Sequence, residues 1–289
     1  MNKRKNSTKI LVESSIMVAF ATVLSMLKLV DMPYGGSVTA ASMLPIAIIS
    51  YRHGISYGLI SGVVYATIQQ LLGLNTLSYV TGWQSVVAVI VLDYVIAFTL
   101  VGLAGVFKNK ISFGHTSLPK KQSIELTVGM IFVCVLRYAC HVIAGATVWA
   151  GLSIPTEAAL VYSIGYNATY MIPETIVTAC SCAWLGSVLD LSKPTPERFI
   201  SVASENEQGR GACEFLPYFV TLIFVFVIAL DTVLIAPCLQ NADSGEFDFS
   251  GLSSAPWGIV AAVSIIGVAL GVGLLAARTV IRKKACNKD

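Results

Sequence analysis

Charge is scarce in this sequence. Only 12% of its 289 residues are Asp, Glu, Lys or Arg, against about 25% in an ordinary soluble domain. The deficit is uneven: whole blocks carry no charge, which excludes a solvated globular chain and points to a polytopic membrane protein. Metal-type and redox-type cysteine pairs are also missing. None of the seven cysteines (134, 140, 180, 182, 213, 238, 286) stands in a C-x-x-C pair and most fall in apolar runs, so they read as small buried hydrophobes rather than zinc ligands or a disulfide framework. The chain has no G-x-x-x-x-G-K-[ST] loop to cradle ATP phosphates, no H-E-x-x-H and no G-x-S-x-G. No repeat period stands out, and no inverted repeat of the kind found in many secondary transporters. These absences argue against an ATPase, a metalloprotease and a serine hydrolase; no cofactor and no nucleic-acid partner is expected.

What the chain has is apolar length. Hydrophobic residues make up 55% of it and the mean hydropathy is +0.76. Eight apolar segments can be drawn, near 10–30, 38–50, 54–74, 84–107, 123–150, 156–191, 215–238 and 256–278. The first is too long for the core of a signal peptide and reads as an uncleaved span. The second is short for a crossing at ~1.5 Å per residue, and the sixth extends past the membrane. Seventeen of the nineteen Lys and Arg residues fall on one side of this eight-span arrangement, leaving only Lys28 and Arg137. The positive-inside rule then puts both termini in the cytoplasm of a cell-membrane protein. The expected fold is all-α: a polytopic bundle with a six-helix membrane domain over 1–191, a polar cytoplasmic linker over 192–214 and a two-helix extension over 215–289.

Polar groups inside spans are costly, so each one is a candidate site. Arg137, His141, Gly145 and Trp149 recur every four residues, which places them on one slowly drifting helical stripe. Asp93 and Tyr94 in the fourth span reach a similar depth. The sixth span carries Tyr162, Tyr166, Tyr170 and Glu174 at the same four-residue interval, with Asn167 beside them. The first outside loop, DMPYGGSVT, adds Tyr34 and two glycines. One carboxylate among several aromatic faces suits a flat cation or a heteroaromatic ring, and hydroxyl and amide groups suit ring nitrogens and amino groups. Blander readings exist for each residue. Trp149 at a span end fits an interfacial belt, His141 and Asn167 fit helix–helix hydrogen bonding, and Asp93 with Arg137 fits a structural ion pair.

Five stretches together resemble a known family: LVESSIMVAFATVLS, GGSVTAASMLPI, LDYVIAF, RYACHVIAGATVWA and YSIGYNATYMIPE. In this order and spacing they are similar to the thiamine-specific substrate-binding subunits (S components) of energy-coupling factor transporters, over about residues 10–190. The resemblance implies a non-enzymatic six-helix subunit that captures thiamine outside the cell. Separate ATPase subunits and a membrane coupling subunit would then drive uptake. Carried over by position, His141 and Trp149 would pack on the thiamine rings and Gly145 would line the site. Tyr162 and Asn167 would hydrogen-bond the ligand, Asp93 and Tyr94 would be the acidic–aromatic pair, and Tyr34 would be the aromatic lid residue. Ser15 and Ala19 would form the small-residue contact with the coupling subunit. Two departures stand out: the family's usual glutamate is Asp93 here, and residues 192–289 exceed the family's six spans. An S component for another vitamin, and a proton-coupled secondary transporter using Asp93, Arg137 or Glu174, are the alternatives.

Overall fold

The computed structural model describes residues 2–32, 35–80, 82–111, 117–151, 156–199 and 249–286, with short helical stretches between 216 and 238. The described chain divides into two units, 1–199 and 200–289. Six helices among the described residues are long and apolar enough to cross a membrane. The protein is an all-helical membrane bundle, and its only described strands form two short hairpins.

The first unit opens with α1 (Asn2–Met26). A hairpin follows, β1 (Lys28–Asp31) antiparallel to β2 (Ser37–Thr39). The segment expected over 38–50 is therefore not one helix. Its first residues belong to the hairpin, and α2 (Leu44–His53) supplies ten helical residues starting next to Pro45. Proline fits a first helical turn because its missing N–H has no partner there. Ten residues rise only about 15 Å, so α2 is a half-crossing. α3 (Ile55–Leu72) follows a glycine link. The next continuous helical run, Trp83–Phe107, is α4, whose middle section Val89–Ile96 is π-helical and whose end tightens to 3-10. The long helices α5 (Leu118–Gly151) and α6 (Thr156–Val188) pack against each other along their lengths. Pro173 lies inside α6.

Apolar side chains face both inward and outward. Met43, Ile46, Ile49, Tyr65, Leu126 and Met130 are fully buried, while Leu11, Ile16, Ile60, Val135 and Val161 are among many large apolar residues left exposed. A water-soluble chain rarely exposes so much contiguous apolar surface; a lipid-facing one must. Close helix contacts rest on missing side chains. A Cβ on Gly102 would run into the Gly58 backbone, and Ser50 fills the adjoining space, its hydroxyl donating to the Gly102 carbonyl (2.5 Å) and accepting from the Gly105 N–H (2.9 Å). A serine hydroxyl that hydrogen-bonds a neighbouring helix where small residues let the backbones approach is a common membrane solution.

α6 leads into a second hairpin, β3 (Leu189–Asp190) with β4 (Glu197–Arg198). Arg52 at the end of α2 organises this end of the unit. Its guanidinium contacts Glu13 of α1 at 2.6 Å and donates to the carbonyls of Leu191, Lys193 and Pro194. Ser192 donates to Asp190 from its hydroxyl and its N–H, which holds the Asp190 carboxyl below its ordinary range.

In the second unit α7 (Trp257–Cys286) is the described long helix. Gly267 and Gly271 leave room for Val227 and Phe224, and Ser264 donates to Asp231 at 2.8 Å. The expected segment 256–278 corresponds to α7; the segment expected over 215–238 and the linker over 192–214 fall largely outside the described residues.

Candidate functional site

A cavity of about 640 Å³ opens in the first unit between the β1–β2 hairpin and helices α3, α4, α5 and α6. That volume lies within the ~300–1,000 Å³ usual for small-molecule sites. Each helix contributes polar groups that the apolar periodicity leaves on its inner face.

From α4 come Asp93 and Tyr94. Both sit in the π-helical section, where the widened turn rephases the side chains, a feature that recurs at functional sites. Tyr94 donates toward the Gly73 carbonyl and Thr76 Oγ1, both at 3.2 Å. From α5 come Arg137, His141 and Gly145, so the row faces the cavity from Gly145 down to its arginine. His141 Nδ1 lies 2.9 Å from Asp93 Oδ1. The His141 ring also meets Tyr170 edge-on, with centroids 6.0 Å apart. Arg137 is 5% exposed; its Nη1 lies 2.6 Å from Met43 Sδ, its Cζ 4.5 Å from the Phe98 ring centre and its Nη2 3.5 Å from His141 Nε2.

Tyr166, Asn167, Tyr170 and Glu174 of α6 complete the wall. Tyr170 donates to Asn167 Oδ1 at 2.5 Å. The Asn167 amide donates to the Ser163 carbonyl (2.8 Å) and more weakly to the His141 carbonyl (3.3 Å), tying α6 to α5. Glu174 is 2% exposed and receives two hydrogen bonds from Thr39 of β2, from its N–H at 2.6 Å and its hydroxyl at 2.8 Å. Tyr166 donates to the Gly35 carbonyl at 2.9 Å. The hairpin is thus fastened to α6 at both its turn and its second strand. Gly36 has φ +89°, and a Cβ there would stand 2.6 Å from the Tyr170 ring.

Of the residues named from sequence, Asp93, Tyr94, His141, Gly145 and Asn167 meet around this cavity. Gly145 also gives α6 its approach to α5, because a Cβ would strike Ser163 Oγ and lie 3.1 Å from Asn167 Nδ2. Tyr162 does not line the cavity; it is 9% exposed and stacks on Tyr166 with centroids 6.0 Å apart. Tyr34 and the side chain of Trp149 lie outside the described residues. Ser15 and Ala19 are exposed on α1, remote from the cavity lining. Helical depth alone sets Arg137 below the wall as a structural residue and allows it Asp93 as an ion-pair partner. In the structure Arg137 lines the cavity, and among the described residues the side chain that meets the Asp93 carboxylate is His141, at 2.9 Å, not Arg137. Glu174, Tyr166 and Tyr170 are visible in the four-residue row of α6, but the row by itself assigns them no role. Gln69, Thr76 and Thr39 give no signal at all in the sequence, since short polar residues near span ends are ordinary.

Comparison with known proteins agrees in one direction. A family model described as thiamine transporter protein (Thia_YuaJ) matches residues 11–190. The thiamine transporter ThiT of Bacillus subtilis (strain 168) is 35% identical over 182 residues, covering 62% of this chain and 90% of the relative. ThiT of Lacticaseibacillus paracasei is 28% identical over 175 residues, 58% of this chain and 82% of the relative. A solved structure of ThiT from Listeria monocytogenes has the same fold, with a TM-score of 0.50 and 24% identity over 63% of this chain and 94% of that one.

Proposed function

The chain belongs to the thiamine transporter protein family, and from that premise we propose that it is the substrate-binding membrane subunit of an energy-coupling factor transporter that captures thiamine outside the cell. The cavity is the binding site in this reading, the β1–β2 hairpin faces outward, and both termini lie in the cytoplasm. Asp93, Tyr94, His141, Gly145 and Asn167 contact the ligand, with Trp149 and Tyr34 as further contacts, while Tyr162 supports the wall from behind by stacking on Tyr166. The chain is a transporter component, not an enzyme. ATPase subunits and a membrane coupling subunit complete the machine, the latter packing on the small-residue face of α1 at Ser15 and Ala19. Residues 215–289 form an extension carried behind the 192–214 linker.

The observation that carries this reading is the pairing of Asp93 with His141 on a wall of aromatic rings. A thiazolium ring is a flat cation and is attracted by a carboxylate and by aromatic faces together. An aspartate is one methylene shorter than the family's glutamate, and here its carboxylate lines the cavity beside His141, 2.9 Å away. The test is a thiamine titration of the purified full-length protein followed by tryptophan fluorescence. Saturable quenching at submicromolar thiamine supports the assignment. Absence of thiamine binding together with tight binding of another vitamin refutes it and moves the chain to a sister specificity. Uptake by this chain alone into liposomes under a pH gradient would refute the subunit role.

A further inference from the structure

The cavity that is to receive a cation holds a buried cation of its own. Arg137 is 5% exposed and lines the cavity, and among the described residues no carboxylate forms an ion pair with it. Its neighbours are a sulfur, an aromatic ring and a histidine: Met43 Sδ, Phe98 and His141 Nε2. Packing explains the first two contacts. The third constrains chemistry.

A guanidinium has five N–H donors, no acceptor, and does not lose its proton in proteins. With Arg137 Nη2 3.5 Å from His141 Nε2, a proton on Nε2 would set donor against donor, and an imidazolium would set two buried cations side by side. Both arrangements are unfavourable in a low-dielectric site. The remaining form is the neutral ring with its proton on Nδ1 and a lone pair on Nε2. That form also suits the other side of the ring, where Nδ1 lies 2.9 Å from Asp93 Oδ1 and its N–H donates to the carboxylate. The other ionisable groups lining the cavity are Lys28 and Asp31 of β1, paired with each other, Tyr94 of α4, and Tyr166, Tyr170 and Glu174 of α6. The Tyr170 and Glu174 hydrogen bonds go to Asn167 and Thr39, not to the imidazole.

We propose that Arg137 is a positioning residue: it fixes the proton of His141 on Nδ1, so that the cavity wall presents a neutral aromatic ring beside an ionised Asp93. Without the guanidinium opposite Nε2, either ring nitrogen can carry the proton, and the wall no longer presents a single hydrogen-bonding form. A buried arginine thus makes the wall receptive to a cationic heteroaromatic ring. The preference for a cationic ligand rests on the proposed function; the placement of the proton rests on geometry alone.

The experiment uses the full-length protein in lipid nanodiscs with ¹⁵N-labelled histidine. The chain has three histidines, at 53, 115 and 141, and His141→Asn identifies the signal of interest. In the unmodified protein His141 gives the neutral Nδ1–H signature. Arg137→Lys, also donor-only, keeps it. Arg137→Met and Arg137→Gln lose it, giving an imidazolium or mixed tautomers. In parallel, Arg137→Met weakens thiamine at least tenfold more than it weakens an analogue with an uncharged ring in place of the thiazolium. An Nε2–H or imidazolium signature in the unmodified protein overturns the proposal even if no variant folds. Equal losses for the charged and uncharged ligands also overturn it, because a packing role does not distinguish them. If the unmodified protein binds no thiamine while the tautomer contrast holds, the vitamin assignment falls and the positioning role stands.

Discussion

Replacing Gly36 by alanine tests how the hairpin closes the cavity. Gly36 combines two constraints, a φ of +89° and a Tyr170 ring whose nearest atom would stand 2.6 Å from the new Cβ. The backbone conformation alone costs an L-residue about 1–2 kcal/mol. The methyl group also displaces Tyr170, whose hydroxyl donates to Asn167, and losing that bond costs about 1 kcal/mol. The closed hairpin is then destabilised by about 2–3 kcal/mol, and at ~1.4 kcal/mol per decade the dissociation constant for thiamine rises about 30- to 150-fold. Gly54→Ala is the matched control. Its φ of +94° is as unfavourable, yet no atom lies within 4 Å of the would-be Cβ, and it joins α2 to α3 away from the cavity lining. That variant lowers the melting temperature and leaves affinity unchanged. Fluorescence titration and detergent thermal melts read both quantities. A Gly36→Ala protein that binds within threefold of the parent would refute the reasoning, because the hairpin would then not need a glycine to pass the Tyr170 ring.

Asp93→Asn removes the carboxylate that faces both His141 and the cavity. Loss of a charged hydrogen-bond partner in a buried site costs about 1.5–3 kcal/mol, so thiamine affinity drops roughly 10- to 150-fold in the same titration. In Glu174→Gln one of the two Thr39 donors faces an amide N–H instead of an oxygen. At about 1–3 kcal/mol for an unsatisfied buried donor, the hairpin loosens, read as faster hydrogen exchange at Val38 and Thr39. Arg52→Met leaves Glu13 without its guanidinium and frees the carbonyls of Leu191, Lys193 and Pro194. Limited trypsin digestion then cuts first after Arg198, since Lys193 is protected by the following Pro194, and the melting temperature falls.

The spans were legible because burial in lipid demands uninterrupted apolar length, and α4 over Trp83–Phe107 and α7 from Trp257 follow the apolar runs closely. The hairpin was not, since SVT sits within a run whose apolar content continues into α2. The site was legible where a polar group interrupts a span: Asp93, His141 and Asn167 could be found by depth alone. Where the cavity ends along a helix face could not be read in the same way. Tyr162 and Tyr166 share a face and differ by one turn, yet only Tyr166 reaches the cavity. Depth counted at the backbone leaves Arg137 below the wall, but a long side chain covers more than a helical turn, and Arg137 lines the cavity. The π-helical section at Val89–Ile96 further shifts which residues of α4 share a face.

Pro173 sits one residue before Glu174, inside a helix of 33 residues, about 50 Å in length. Proline has no N–H to give to the turn before it, so the backbone ladder of α6 is interrupted there. α6 therefore lacks one rung of its ladder at this level. Before the proline, Tyr166 holds the hairpin turn; after it, the helix leads directly into β3–β4, where the Leu191, Lys193 and Pro194 carbonyls accept from Arg52. The Glu174–Thr39 clasp lies beside that gap, so the hairpin's second strand is held where α6 is short of one hydrogen bond of its own.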